Sequence, residues 1–180
     1  MSRSDRGKLF GVHTIIPSAI TLGNLLCGFL SIVWTMRGIV DAAAGFILLS
    51  VVLDSLDGKM ARKLSAASDF GKELDSLSDV VSFGVAPAVL AYVSLMQPNI
   101  MLGGIAIACV FVLCGAVRLA RYNTLPLTGY FVGVPITFAG GFIALVALFY
   151  QRIPWQVMPV CMLVLSFLMV STIKVSRLGK

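Results

Sequence analysis

Charged side chains are scarce in this sequence: they make up only 12% of its 180 residues, whereas hydrophobic residues make up 58%. In soluble domains about 25% of the residues are charged. The mean hydropathy is +0.97. This composition excludes a soluble globular domain and predicts an integral membrane protein. A chain of this length has room for about six spanning helices of roughly 20 residues each, and we expect a single domain over residues 1–180.

Clustered cysteines and histidines are also lacking, which excludes the usual kinds of zinc site. The sequence has one histidine, and its four cysteines lie singly in apolar segments. We interpret these cysteines as small buried hydrophobic residues in a reducing or lipid environment. A phosphate-binding loop is excluded as well, because the glycine-bearing segment 129–141 lacks the Lys-Ser/Thr pair of such a loop. Close helix packing explains those glycines better.

Acidic residues are the scarcest charges, and their distribution is very uneven. Six of the eight lie between Asp54 and Asp79, and the 101 residues after Asp79 contain none. Carboxylates at or near a bilayer are costly unless they are paired, hydrated or bound to cations. The acidic cluster is therefore predicted to be the functional site.

Long apolar stretches predict the architecture. The expected spans are residues 15–35, 40–61, 75–96, 100–121, 130–150 and 155–174. Within lipid each backbone amide of a helix is satisfied inside its own segment, and these stretches are about twice as long as barrel strands. The prediction is therefore an all-α fold, an integral membrane bundle of six transmembrane helices.

Lysine and arginine are distributed unequally between the two sides of this six-span arrangement. Twelve fall on one side and only two, Arg37 and Arg152, on the other. Cytoplasmic loops carry the excess of positive residues, so both termini and the acidic cluster are predicted to be cytoplasmic. We expect a multi-pass protein of the cytoplasmic membrane with its active site at the cytoplasmic face. The net charge of +6 follows from this asymmetry and gives no support to nucleic-acid binding.

The acidic residues follow helical spacing on two neighbouring helices. Each group below shares one stripe of its helix, because residues three or four apart lie on the same face. The first stripe contains Asp54, Asp57, Gly58 and Ala61, and the second contains Gly71, Asp75 and Asp79. The two stripes can face each other across a short loop, which would bring four mutually repelling carboxylates together. Bound Mg²⁺ or Mn²⁺ would offset this repulsion, since both ions prefer hard oxygen ligands.

Both stripes also carry small residues between or beside the aspartates, so there is little side-chain volume on these helix faces. Gly58, Ala61 and Gly71 would let a large or flat ligand approach the backbone. Small residues also allow close packing of membrane helices. Their position on the same stripes as four aspartates favours the ligand.

Segment 54–79, DSLDGKMARKLSAASDFGKELDSLSD, fits the pattern D-x2-D-G-x2-A-R-x8-G-x3-D-x3-D at every fixed position. In this it resembles the CDP-alcohol phosphatidyltransferases, and the six-span architecture extends the resemblance over the whole chain. The resemblance implies transfer of a phosphatidyl-type group from a CDP-linked lipid to an alcohol. It also implies release of CMP, a divalent metal, with two ions expected, and a homodimer.

The resemblance implies a role for each residue of the motif. Asp54, Asp57 and Asp75 would be metal ligands, and Asp79 would be the general base and contact a second metal. The nucleotide of the CDP-lipid would contact Asp54, Gly58, Ala61, Arg62 and Gly71, with Arg62 on a phosphate oxygen.

Three polar residues outside the motif are weaker candidates for the same nucleotide. Thr21 and Asn24 lie in the first span and would contact the cytidine or form interhelical hydrogen bonds. Ser68 lies in the predicted cytoplasmic loop and would either touch phosphate or end the helix.

Three other segments resemble the serine-accepting branch of the family. They are SFGVAPA at 82–88, CGAVRLARYN at 114–123 and IPSAITLGNLLCGF at 16–29. Arg118 and Arg121 have no acidic residue nearby in sequence, so one can hold the serine carboxylate and the other a lipid phosphate, with Asn123 offering an amide. Both arginines are equally well explained as anchors beside lipid head groups.

The expected activity is transfer of a phosphatidyl or archaetidyl group from CDP-diacylglycerol or CDP-archaeol to the hydroxyl of L-serine. Glycerol-3-phosphate, inositol or inositol-phosphate as acceptor is the first alternative. A small divalent-cation transporter is the second. A transporter places its acidic site near the bilayer midplane, whereas these aspartates lie at one edge, so the enzyme is favoured.

Overall fold

The computed structural model of the protein describes residues 12–63, 69–124, 131–171 and 174–175, most of which are helical. In chain order the helical elements are α1 (Val12–Met36), α2 (Val40–Lys63), α3 (Asp69–Asp79), the π-helical π1 (Val80–Val85), α4 (Ala86–Ala91), the π-helical π2 (Tyr92–Met96), α5 (Gln97–Thr124), α6 (Ile136–Leu148) and α7 (Val157–Val170). Two strands of two residues each, β1 (Phe131–Val132) and β2 (Lys174–Val175), pair antiparallel. The predicted helical fold is confirmed, with this short ribbon as an addition.

The elements from α3 to α5 form a helical hairpin. Its turn is at Ile100, whose φ of −139° and ψ of 57° are not helical. A Cβ built on Gly104 would lie 2.9 Å from the Cβ of Met96, whereas eight residues of straight helix span about 12 Å. The chain therefore folds back on itself at Ile100. The two arms correspond to the predicted spans 75–96 and 100–121, although the first arm already begins at Asp69.

Apolar helices make this architecture compatible with a membrane protein. Two helical stretches, Pro17–Met36 and Asp69–Thr124, are long and apolar enough to cross a bilayer, and the second contains the turn at Ile100. Large hydrophobic side chains face outward on several helices, among them Leu102 at 80% and Phe167 at 71% exposure. In water such exposure would be costly, since burial of apolar surface drives folding.

The last two helices are shorter than predicted. α6 has 13 residues and α7 has 14, where spans of 130–150 and 155–174 were expected. Before α6, β1 and Gly133, with a φ of 78°, take the chain out of helical geometry. After α7, Ser171 turns extended with a ψ of 147°. An apolar stretch does not reveal such local backbone departures, and for this reason both predictions were too long.

Six helices have one end beside the acidic cluster. α1, α3 and α6 begin there, and α2, α5 and α7 end there. Four contacts establish this alignment: Thr21 to Asp57, Thr137 to Asp54, Asn123 to Ser76, and Arg121 to the carbonyl of Val170. We call this end the site end and the opposite end, which contains Trp34 and Arg37, the far end.

Candidate active site

Three carboxylates from two helices converge at the site end. Asp54 and Asp57 are three positions apart on α2, and Asp75 lies close to them on α3. One oxygen from each lies within 4.8 Å of the others. Asp57 is buried, with 5% of its surface exposed, and the other two are half-buried. Four carboxylates were predicted to converge, and these three form the group within 4.8 Å.

Asp79 lies beside this group, one helical turn after Asp75. It is 7% exposed, and its Oδ1 has no hydrogen-bond partner among the described residues. It lies close enough to the three other aspartates and to the guanidinium of Arg118 for their charges to interact with its own. Asp79 is not part of the three-oxygen group, so the structure distinguishes it from the three candidate metal ligands.

Two threonines donate hydrogen bonds to the candidate metal ligands. The Oγ1 of Thr21 in α1 lies 3.0 Å from Oδ2 of Asp57, and the Oγ1 of Thr137 in α6 lies 3.3 Å from Oδ2 of Asp54. Thr21 was expected to contact cytidine or to bond between helices, and the structure contains the interhelical bond, with the Pro17 carbonyl of its own helix as a second acceptor 3.0 Å away. Sequence reasoning missed Thr137. The available signal was that it is the only residue with a polar side chain in α6.

The donor set fits a hard divalent cation. Oδ1 of Asp75 is buried without a partner in the described part of the chain, like that of Asp79. Over the described ranges the one ion pair within 4.0 Å is Lys72 with Asp69, which is exposed and outside the cluster. Buried carboxylates need compensation by a cation or hydrogen bonds. Oxygen ligands with this charge are those that Mg²⁺ and Mn²⁺ prefer.

Asn24 is fully buried in α1, one turn away from Thr21. Its backbone carbonyl accepts hydrogen bonds from the hydroxyls of Ser50 in α2 and Ser82 in π1. Both polar atoms of its side-chain amide lack a partner within the described residues. The interhelical side-chain bond that was one of its two expected roles is therefore not formed here. An unsatisfied buried amide at this depth favours contact with a ligand or an ordered water.

The predicted nucleotide residues differ in how far the structure describes them. At Gly58, which is exposed, an added Cβ would meet nothing within 4 Å, so no part of the described chain packs on this face. Gly71 is half-buried, one turn before Asp75. Ala61 and Arg62 lie in α2, but their side chains are not among those that the structure describes. Ser68 lies outside the described residues.

The three predicted acceptor residues are placed differently. Arg118 is half-buried and faces Asp79, and its Nε has no hydrogen-bond partner among the residues described. The Nη1 of Arg121 donates to the Val170 carbonyl at the end of α7, 3.0 Å away. The Nδ2 of Asn123 donates to Oγ of Ser76, 2.9 Å away on the surface. Of the three, Arg118 is the residue whose charge interacts with an aspartate of the cluster.

The π1 segment begins directly after Asp79 and is packed unusually tightly. A Cβ on Gly28 of α1 would lie 2.8 Å from Cα of Ser82, and one on Gly140 of α6 would lie 2.6 Å from the carbonyl oxygen of Phe83. Two glycines thus let α1 and α6 touch the backbone of π1. π-helical turns are frequent at functional sites, and this one directly follows the helix that carries Asp79.

Comparison with known proteins agrees with the motif and the geometry. The chain is 40% identical over 169 residues to the CDP-diacylglycerol–serine O-phosphatidyltransferase of Bacillus subtilis, covering 92% of each chain. It is 39% identical to the protein of that name from Methanocaldococcus jannaschii, with 92% of this chain and 77% of the relative covered. It is 40% identical to the archaetidylserine synthase of Methanothermobacter thermautotrophicus, with 90% of this chain and 70% of the relative covered.

The family model described as CDP-alcohol phosphatidyltransferase matches residues 14–173. The matched range includes the four aspartates, both threonines, Asn24 and Arg118. The family expected from the 54–79 motif is therefore confirmed, and the chain belongs to the CDP-alcohol phosphatidyltransferases.

Proposed function

We propose that the protein transfers a phosphatidyl or archaetidyl group from a CDP-linked lipid to the hydroxyl of L-serine and releases CMP. The observation that carries this proposal is the buried Asp79 beside the convergent Asp54, Asp57 and Asp75. Serine as the acceptor is supported by the names of the relatives. Since these names include both diacylglycerol and archaetidyl lipids, both donors belong in the test.

Asp54, Asp57 and Asp75 would hold one or two Mg²⁺ or Mn²⁺ ions. A bound divalent ion neutralises charge on the phosphates during transfer. The three side chains are held in place by their helices and, for two of them, by threonine hydroxyls. Such fixed geometry matters because phosphoryl transfer depends mainly on positioning and on stabilising developing charge.

Asp79 is suited to accept the proton of the seryl hydroxyl. As this proton moves to the carboxylate, the seryl oxygen forms a bond to the lipid-side phosphorus. The bond from that phosphorus to the bridging oxygen breaks, and CMP leaves with the electron pair. The free Oδ1 of Asp79 is available for the proton, provided that the hydroxyl comes within hydrogen-bond distance.

Arg118 is the best-placed residue for the serine carboxylate. It is the basic side chain whose charge interacts with Asp79, and its unpartnered Nε leaves a donor for a bidentate contact. Arg121 and Asn123 already bond to Val170 and Ser76, so we assign them to the edge of the acceptor site. Gly58, Ala61, Arg62, Ser68, Gly71, Thr21 and Asn24 complete the proposed nucleotide side.

The site end is proposed to lie at the cytoplasmic face of the cytoplasmic membrane, with six spans and cytoplasmic termini. The excess of lysine and arginine on this side supports that orientation. A homodimer is proposed from the family resemblance. Native mass spectrometry of the purified protein in detergent checks it, and a monomeric mass would overturn it.

The test of the proposed function is CMP release by purified protein with CDP-diacylglycerol or CDP-archaeol and Mg²⁺ or Mn²⁺. L-serine, glycerol-3-phosphate, inositol and inositol-phosphate are compared as acceptors. We expect serine-dependent release that stops when the metal is chelated. Release with another acceptor alone would overturn the choice of serine and leave the family membership intact.

A further inference from the structure

α6 contributes a polar contact to a cluster whose carboxylates all come from α2 and α3. Thr137 lies in the first turn of α6, and its Oγ1 donates to Oδ2 of Asp54, 3.3 Å away. The two residues are 83 positions apart. The hydroxyl is half-buried, and the rest of α6 is apolar.

The register of α6 on α2 is set by the helical stripe that carries Thr137. Gly140 and Gly141 lie three and four residues further along, on the same face. A Cβ on Gly141 would lie 3.2 Å from Cγ2 of Val51, which is one turn before Asp54 on α2. A Cβ on Gly140 would collide with the backbone of Phe83 in π1. Gly141 therefore lets α6 lie close to α2 beside Asp54, and Gly140 lets it lie against π1.

The start of α6 is anchored on its other side by α7. The amide of Val134 donates to the carbonyl of Leu168, 3.2 Å away. Gly133, with a φ of 78°, packs so closely on the carbonyl of Met169 that a side chain would not fit. Pro135 then caps α6 in an extended conformation. The position of Thr137 is thus fixed from both directions.

From this arrangement we infer that Thr137 is a positioning residue, which orients the Asp54 carboxylate for the divalent cation. This inference rests on the metal site of the proposed function. A carboxylate with a hydrogen bond on one oxygen is restricted in rotation, which presents the other oxygen to an ion. Hydrogen-bond partners of metal ligands generally contribute 10- to 100-fold to metal affinity or activity.

The test is Mn²⁺ binding to detergent-purified protein without lipid or serine, followed through the electron paramagnetic resonance signal of free Mn²⁺. We expect Thr137→Val to weaken binding at least about 10-fold. Thr137→Ser, which keeps the hydroxyl, should bind like the wild type. Thr35→Val is the matched control, because Thr35 is buried at the far end and its hydroxyl donates to the Ser31 carbonyl of its own helix. It should leave Mn²⁺ binding unchanged.

A double variant separates positioning from a general loosening of the bundle. In an Asp54→Asn background, Thr137→Val should weaken Mn²⁺ binding no further. Equal affinity of wild type and Thr137→Val, or equal loss in the serine and valine variants, would overturn the inference while leaving the metal site intact. A wild-type protein that binds no Mn²⁺ would overturn the metal site itself and the inference with it.

Discussion

The two ends of the helix bundle satisfy their polar side chains in different ways. At the site end, some hydroxyls bond across helices, as Thr21 does with Asp57 and Thr137 with Asp54, and others, such as Ser55 and Thr124, bond within their own helix. At the far end, Thr35, Ser94 and Asn99 bond to the carbonyl four residues earlier in their own helix. A bond within one helix leaves its neighbours free to shift, whereas a bond between helices fixes their register. The register of the helices is therefore fixed by side-chain hydrogen bonds at the end where the aspartates lie.

The aspartates of the two ends show the same contrast. Asp41, at the start of α2 near the far end, is exposed to solvent. Asp79 is buried, and one of its oxygens lacks a partner in the described parts of the chain. A buried carboxylate without a partner is costly, so its presence at one end alone points to function at that end.

Asp79→Asn should give the largest effect of the substitutions considered. Without a base for the seryl hydroxyl, turnover should fall by about 10²- to 10⁴-fold, while CDP-lipid binding is kept. CMP release and nucleotide affinity, measured on the same preparation, check this. Asp41→Asn serves as the control and should retain full activity. A near-normal rate for Asp79→Asn would refute its role as the base.

Asp54→Asn should weaken Mn²⁺ and CDP-lipid binding together, because one carboxylate would serve both. Loss of a charged ligand should lower Mn²⁺ affinity by at least about 10-fold, as loss of its supporting hydrogen bond is already expected to do. Titrations of Mn²⁺ and of CDP-lipid on the same preparation measure the two affinities. If both stay at the wild-type value, Asp54 does not belong to the metal site.

Arg118→Lys and Arg121→Lys compare the contributions of two arginines at the site end to serine binding. Lysine keeps the charge near Asp79 but loses the bidentate contact with carboxylate. A lost hydrogen bond to a charged group is worth about 1.5–3 kcal/mol, so Arg118→Lys should raise the KM for serine about 10- to 100-fold. Arg121→Lys should change it far less, because Arg121 contacts Val170. Serine titrations of both variants measure the two KM values. A larger rise in the KM for serine with Arg121→Lys than with Arg118→Lys would exchange the roles proposed for the two arginines.

Gly140→Ala and Gly45→Ala compare a glycine in a tight helix contact with a glycine that has open space beside it. Their effects on the stability of the protein should be the smallest of the effects considered. The alanine at 140 would meet the carbonyl of Phe83, and overpacking of this kind costs about 1–3 kcal/mol. At Gly45 an added Cβ meets nothing within 4 Å, so alanine should stabilise α2 by up to about 1 kcal/mol. Thermal unfolding in detergent measures both. A Gly140→Ala protein as stable as the wild type would show that α6 shifts freely.

The sequence was sufficient for the parts of the site that repeat with helical spacing. Asp54 and Asp57, and likewise Asp75 and Asp79, are three or four residues apart, so their common faces follow from the geometry of one helix. The hairpin was also predictable, because the apolar stretches on either side of Ile100 are each long enough to be a span. These features depend only on residues close together in the chain.

Other features depend on tertiary contacts that no local pattern encodes. The partner of Thr137 lies 83 residues away, and an isolated threonine in an apolar helix is ordinarily satisfied within that helix. The π1 segment arises where Gly28 and Gly140 approach Ser82 and Phe83 from two other helices. The pairing of β2 with β1, 42 or more residues apart, is likewise a tertiary contact.

The most direct test of the account is to follow the seryl oxygen. Wild-type protein and Asp79→Asn are each given CDP-lipid, metal and L-serine labelled with ¹⁸O in its hydroxyl, and the products are analysed by mass spectrometry. The account predicts that the wild type forms serine-containing phospholipid that retains ¹⁸O, with an equal amount of unlabelled CMP, and that Asp79→Asn forms almost none. A product without ¹⁸O, or CMP release that does not depend on serine, would contradict it.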